Sequence, residues 1–412
     1  MKKYLFLSVA VFALAACDSD EGGKFGPMHE IPVSNEIDLT IDELSVNQGL
    51  NSFAFDFLNE VALSGDGRDD NGNLCVSPLS ASFALAMLAN SADEVIAGQV
   101  AGILGAENLP ALNSTTNKLL RYMPSRKSGA RLELVNSAWY HDDYVVSRTY
   151  EDNMAQTFYA EVNGRDFDDP ATLGFINGWC NEKSHGMIPR ILETLSARQI
   201  FILANALYFS GKWNKPFDVS DTRDMEFTGT VSKSIVKMMH SEGKASYMES
   251  DLADAAVMSF DGSTRFVALL PKDGSTAEDL ARSMTRSDFR SFTAKPDVRL
   301  TLDMPRFGLS NSCEHLYDIF VEMGLGYVMT LDKMGLSNVS PEAMFAIQKT
   351  AVQLDEEGAE LAAVTVIGGD LMPPPPIEEP EVKHLVFDRP FLFFVENTVT
   401  GTILMAGLVN NL

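Results

Sequence analysis

Side chains that commonly carry catalysis are present in this chain but are not arranged for it. The six histidines, His29, His141, His185, His240, His315 and His384, include no HExxH pair, and no serine stands in a GxSxG elbow. His185 lies on a Ser-His-Gly turn and His315 follows Glu314, spacings that arise constantly by chance. The four cysteines, Cys17, Cys75, Cys180 and Cys313, form no CxxC and share no metal-binding spacing with histidine. No zinc, no cofactor and no disulfide are expected, and an enzyme is not the expected reading.

One stretch departs from the rest, Gln353 to Phe394, QLDEEGAELAAVTVIGGDLMPPPPIEEPEVKHLVFDRPFLFF. From Glu356 to Ile367 it joins an acidic turn to small and β-branched residues, and then it changes to Gly-Gly and four consecutive prolines. Small residues in alternation enter a sheet without strain, whereas Pro373 to Pro376 cannot, because proline lacks the backbone donor and fixes φ. Composition allows an ordinary strand followed by a polyproline linker. Composition favours that reading, but it also allows a strand with no settled place, tethered to an exposed, stiff loop.

Four blocks in order bear on that choice. The run DEEGAELAAVT and the closing DRPFLFFVENTVTGTILMAGLVNN, from Asp388 to Asn411, resemble the hinge and final strands of the serpins, a family of conformational-trap protease inhibitors. NLCVSPLSASFALAMLANSA, from Asn73 to Ala92, and NALYFSGKWNKPFD, from Asn205 to Asp218, resemble the same family. Weaker matches are FINGWCNEKSHGMIPRIL from Phe175, FVALLPKDGS from Phe266 and VRLTLDMPRF from Val298. Together they cover Asn47 to Leu412.

The resemblance implies an α+β serpin fold, with large mixed sheets, surrounding helices and an exposed reactive-centre loop near the C-terminus. It implies a suicide substrate: a protease cleaves the loop, which inserts into the main sheet and carries the acyl-enzyme with it. The alternative within the family is a serpin-shaped binding protein that traps no protease. The hinge would be Glu356, Glu357, Gly358, Ala359, Glu360, Leu361, Ala362, Ala363, Val364 and Thr365. Period-two alternation lets Glu360 face solvent while its neighbours turn inward. Leu361 departs from the alanine the family prefers, and its bulk would slow insertion. Ser77, Ser80 and Asn205 match the polar cluster where the strands part, Trp213 the tryptophan at the top of the sheet, and Lys349 the lysine before the hinge. Gln348 stands where the family often has histidine.

Family spacing from Glu356 places the specificity residue at Met372, but Pro373 follows, and proteases rarely cut before a residue with no amide proton. The expected reactive bond is therefore Leu371–Met372. No Lys or Arg occurs between Glu356 and Val382. Targets would be chymotrypsin-, elastase- or subtilisin-like endopeptidases, or papain-like cysteine proteases, rather than trypsin-like ones.

Elements must position these segments. Periodicity predicts helices over Asn51–Leu63, Leu79–Ala92, Tyr150–Tyr159, Phe175–Lys183 and Glu314–Met323. It predicts strands over Leu132–Trp139, Val257–Pro271 and Val298–Phe307, with Phe201–Phe209 a central strand buried on both faces. Strands and helices mix without a βαβ rhythm, which also reads as α+β. GDGRDDNGN, from Gly65, reads as an acidic surface turn, because Arg68 occupies a ligand position of any calcium loop there. Met225, Met238, Met239 and Met248 read as core filler.

At the start, Lys2 and Lys3 precede an apolar run to Ala16, too short to span a bilayer and suited to a signal peptide. Leu14-Ala15-Ala16-Cys17 resembles a bacterial lipobox. Residues 1–16 would be a lipoprotein signal, 17–46 a lipidated N-terminus with a flexible acidic linker, and 47–412 one domain. Acylated Cys17 would anchor the protein to the membrane, as an outer-membrane lipoprotein on the cell surface or the periplasmic face. A net charge of −25 argues against a nucleic-acid surface, which needs clustered cations. A monomer is expected.

Overall fold

The computed structural model describes residues 31–123, 131–196, 198–293, 297–325, 344–358 and 382–412. The helices are α1 (Ile41–Ser64), α2 (Pro78–Ala89), α3 (Glu94–Ile103), α4 (Leu109–Tyr122), α5 (Arg148–Asn153), α6 (Ala171–Lys183), α7 (Ala277–Ser283), α8 (Arg286–Thr293) and α9 (Leu316–Glu322). The first strands are β1 (Leu74–Val76), β2 (Arg131–His141), β3 (Glu161–Arg165), β4 (Phe201–Ser210), β5 (Arg223–Thr228), β6 (Lys233–Glu249) and β7 (Ala253–Ser259). They continue with β8 (Thr264–Pro271), β9 (Asp297–Pro305), β10 (Phe307–Cys313), β11 (Met344–Leu354), β12 (Lys383–Val386), β13 (Phe391–Asn397) and β14 (Thr402–Val409). Helices and strands segregate as an α+β fold.

Two sheets organise the described residues. A five-stranded sheet runs β10-β11-β4-β2-β3, and a nine-stranded one runs β1-β14-β13-β8-β7-β6-β9-β12 with β5 paired to β6. The predicted central strand is β4. Phe201, Leu203, Leu207 and Phe209 point into the main core, while Ile202, Ala204 and Ala206 join a second core beneath α6, with Trp139, Trp179 and Ile347. Both faces are buried, which explains the unbroken apolar run in the sequence.

Several expected boundaries move, each for a local reason. The first helix begins at Ile41, inside the segment read as linker, because Thr40 and Glu43 form a capping box that outweighs the polar composition there. It ends at Gly65, whose φ of 75° favours glycine. The single strand expected over Val257–Pro271 is a hairpin, β7 and β8, folded where the Phe260 N–H donates to the Thr264 carbonyl at 3.0 Å. Val298–Phe307 likewise divides into β9 and β10, because the chain turns at Arg306, whose N–H bonds the Lys237 carbonyl at 2.8 Å. Met238 and Met239 are fully buried core filler, while Met225 and Met248 are half-buried.

Candidate functional site

The site is a seam in the five-stranded sheet. β11 pairs with β4 in parallel register from Met344↔Phe201 to Val352↔Phe209, whereas the outer neighbours β10/β11 and β4/β2 are antiparallel. A strand following β11 through a tight turn would run antiparallel to both β11 and β4. Such a turn is present. The Asp355 carboxylate accepts from the N–H groups of Glu357 (3.0 Å) and Gly358 (3.2 Å), and the Asp355 N–H donates to the Gly358 carbonyl at 2.8 Å. Gly358 has φ 130°, and a Cβ there would collide with the Gly211 carbonyl and the Lys212 backbone, so only glycine fits.

The segment after β4 clamps this turn. The Trp213 N–H donates to the Glu357 carbonyl and the Phe217 N–H to the Glu356 carbonyl, both at 2.8 Å. The Trp213 indole donates to the Asp355 carbonyl at 2.9 Å. Its ring stacks on Phe260 with centroids 4.3 Å apart and meets Phe217 and Phe266 edge-on. The family resemblance placed Trp213 at this end of the sheet; its role as a hydrogen-bond donor to the hinge emerges only in the folded structure.

Glu356 is the charged centre of the clamp. It is 2% exposed, accepts from the Thr222 hydroxyl at 2.7 Å and pairs with the Arg306 guanidinium. Burial alone would raise its carboxyl pKa, but the hydrogen bonds from Thr222 and Arg306 outweigh burial and hold it below the ordinary glutamate value. Asp355 moves the opposite way: burial, reinforced by the Glu356 charge, raises it against the pull of its backbone hydrogen bonds. Sequence reasoning missed Arg306 and Thr222. Arg306 stands inside the VRLTLDMPRF block and could have been found there, while Thr222 carries no local signal.

Farther down, the seam is polar on its core face. Gln348, Asn205 and Asn136 occupy one row across β11, β4 and β2. The Gln348 amide brackets the N-cap of α2, accepting from the Ser77 N–H and donating to the Ser77 carbonyl, both at 2.8 Å. The Ser77 hydroxyl donates to the Leu404 carbonyl at 2.7 Å and accepts from the Ser80 N–H at 3.1 Å. Asn205 donates to the Asn136 carbonyl oxygen. Two buried atoms, Ser80 Oγ and Asn205 Oδ1, have no partner among the described residues. Ser77, Ser80 and Asn205 are thus brought together, and Gln348 joins them. Lys349 is not in this cluster: strand alternation turns it to the opposite face, where its charge opposes the burial that pushes the Cys180 thiol up to about 12.

Hinge residues Ala359, Glu360, Leu361, Ala362, Ala363, Val364 and Thr365, the bond Leu371–Met372 and Cys17 lie outside the described residues.

Residues 48–412 match the family model described as Serpin (serine protease inhibitor). An uncharacterized serpin-like protein of Thermococcus kodakarensis is 29% identical over 379 residues, 90% of this chain and 86% of that protein. Mouse serine protease inhibitor A3K is 24% identical over 387 residues, covering 90% and 89% of the two chains. Among solved structures, the thermophilic serpin tengpin in its native state superposes with a TM-score of 0.77, at 24% identity, over 93% of this chain and 98% of that one. Human kallistatin superposes with a TM-score of 0.77 over 90% and 99%.

Proposed function

The chain belongs to the serpin family, and on that premise we propose that it is a suicide-substrate inhibitor of a serine or papain-like cysteine endopeptidase. The observation that carries this reading is the β11/β4 seam: two parallel neighbours, with the glycine turn at Gly358 bridging Asp355 after β11 and Lys212 after β4. Inserting one antiparallel strand there would exchange one ladder for two. At about 0.5–1.5 kcal/mol per net hydrogen bond, a dozen further bonds plus side-chain burial are worth on the order of 10 kcal/mol. That is as large as an ordinary domain's whole stability. The five-stranded arrangement would then be metastable, and loop cleavage would release it.

In chemical terms, the protease nucleophile attacks the Leu371 carbonyl and the Leu371–Met372 bond breaks. Met372 departs as a protonated amine, leaving Leu371 esterified, or thioesterified, to the protease. Insertion of residues 359 onward then drags the acyl-enzyme away before water can hydrolyse it. Leu371 would fill an apolar primary pocket, which suits chymotrypsin-, elastase- or subtilisin-like targets.

The test is incubation with chymotrypsin and with subtilisin. The expected result is a complex that survives denaturing electrophoresis, together with a released peptide whose N-terminus is Met372. Cleavage without any complex, and without a gain in heat resistance, would favour the non-inhibitory alternative; a cut only after Lys383 would remove the assignment of the bond.

We further propose that acylated Cys17 anchors the protein to the bacterial outer membrane, an expectation that rests on the Leu14–Cys17 resemblance alone. Cys17→Ser should abolish incorporation of labelled fatty acid and release the protein from the membrane fraction. Protease protection on intact cells distinguishes the surface from the periplasmic face.

A further inference from the structure

β2 runs antiparallel to β4 and ends at His141, at the opposite end of the sheet from the hinge. His141 is only 9% exposed, and its ring meets Tyr144 and Phe167 edge-on at centroid distances of 6.4 and 5.7 Å. Nδ1 accepts from the Asp143 N–H at 3.2 Å. Nε2 makes no hydrogen bond to any described residue and faces Asp166 Oδ1 at 3.9 Å. The donor-type atoms of His141, Asp166 and Asp168 all lie within 4.8 Å of one another.

This is an unusual environment for a nearly buried imidazole. Its free nitrogen is aimed at carboxylates that stand too far away to accept a hydrogen bond, yet close enough to share an ion. Metal bonds of about 2.0–2.2 Å bring donor atoms to roughly 3–3.5 Å apart; Asp166 and Asp168 are exposed, and Asp166 Oδ1 also accepts from the Asp168 N–H at 2.8 Å, so the two carboxylates can close on the ion as a pair. The nearest strand neighbour with positive charge, Arg165, has its guanidinium 4.0 Å over the Phe175 ring of α6.

We propose that His141 Nε2, Asp166 and Asp168 form a site for a divalent cation of the zinc class, with water in the fourth position. One imidazole nitrogen and two carboxylates leaving an open position suit that ion better than magnesium or calcium, which take all-oxygen sets. Binding through Nε2 requires the ring proton on Nδ1, which then donates to the carboxylate of Asp142 or Asp143, now 3.7 and 3.8 Å away. The Asp143 N–H gives up its bond to Nδ1 in that exchange. The ion ties the end of β2 to the loop that leads into α6, and α6 covers the outer face of β4. The site stands independently of the inhibitory reading.

The experiment is calorimetric titration of the metal-free full-length chain with Zn2+, paired with thermal melts. Wild type should bind one saturable equivalent and melt at a higher temperature with Zn2+, and Mg2+ should do neither. Asp166→Asn with Asp168→Asn should abolish saturable binding while folding normally, since asparagine retains the acceptor that Asp166 offers the Asp168 N–H. Asp142→Asn with Asp143→Asn should weaken binding only about tenfold, as loss of an outer partner does. No saturable binding in wild type, or the reverse order of the two double variants, overturns the proposal.

Discussion

The hinge end and the middle of the β11/β4 seam are held by different physics. At the hinge end, an ion pair, a stacked tryptophan and several backbone hydrogen bonds clamp residues 355–358. At mid-sheet, neutral amides and hydroxyls sit across the seam, with two of their buried atoms without a partner among the described residues. Parting the strands at the hinge end breaks satisfied, partly charged contacts. Parting them at mid-sheet breaks no side-chain hydrogen bond between β11 and β4 among the described residues, because Gln348 bonds Ser77 at the α2 N-cap and Asn205 bonds Asn136 of β2, so the sheet resists opening at the hinge end more than at its centre. Under the proposed insertion, a strand entering from the hinge meets the harder barrier first.

The largest test of that asymmetry replaces what enters the seam. Ala359→Arg would bring a charge into the new strand at a cost of several kcal/mol. The covalent complex should disappear while cleavage continues, as read by denaturing electrophoresis; an undiminished complex would show that the seam tolerates bulk and charge alike.

Next, the clamp can be cut. Arg306→Met leaves Glu356 buried without its cation, destabilising the uncleaved form by roughly 2 kcal/mol, below the ~3–5 of a wholly buried pair because Arg306 is half-exposed. Gln348→Leu removes both bonds to the Ser77 backbone, a loss of about 2 kcal/mol. Denaturant melts measure both. If the comparison holds, Arg306→Met should also accelerate spontaneous loss of inhibitory activity on warming, and Gln348→Leu should do so less.

Smaller still is the pH effect. The Glu356 pKa is lowered from 4.5, so the stability it contributes is complete above 4.5 and is lost as pH falls through the depressed value. The Asp355 pKa is raised from 3.8, so its contribution has the opposite sign: it is present below 3.8 and lost as pH rises through the raised value. Glu356→Gln should flatten the acid-side loss of stability, and Asp355→Asn should steepen it, in melts between pH 3 and 6. The smallest change expected is in Leu361→Ala, which should raise the ratio of complex to cleaved product without altering whether complex forms.

The fold class, the buried central strand Phe201–Phe209 and the family blocks were legible because they are written in contiguous residues with a period. So was the meeting of Ser77, Ser80 and Asn205, through the resemblance. The hinge clamp was not, because Thr222, Arg306 and Glu356 come from three separated segments, and nothing local marks Arg306 as the partner of a buried carboxylate. His141 ends β2 while Asp166 and Asp168 follow β3, so no local spacing links them either. The face that Lys349 takes was also open, since alternation says only that it opposes Gln348. Sequence determined which segments are buried and which match the family blocks, because those follow from local pattern. Only the tertiary structure decided which charged and polar side chains meet, because that depends on strand register and on turns at residues 306 and 355–358 that no periodicity encodes.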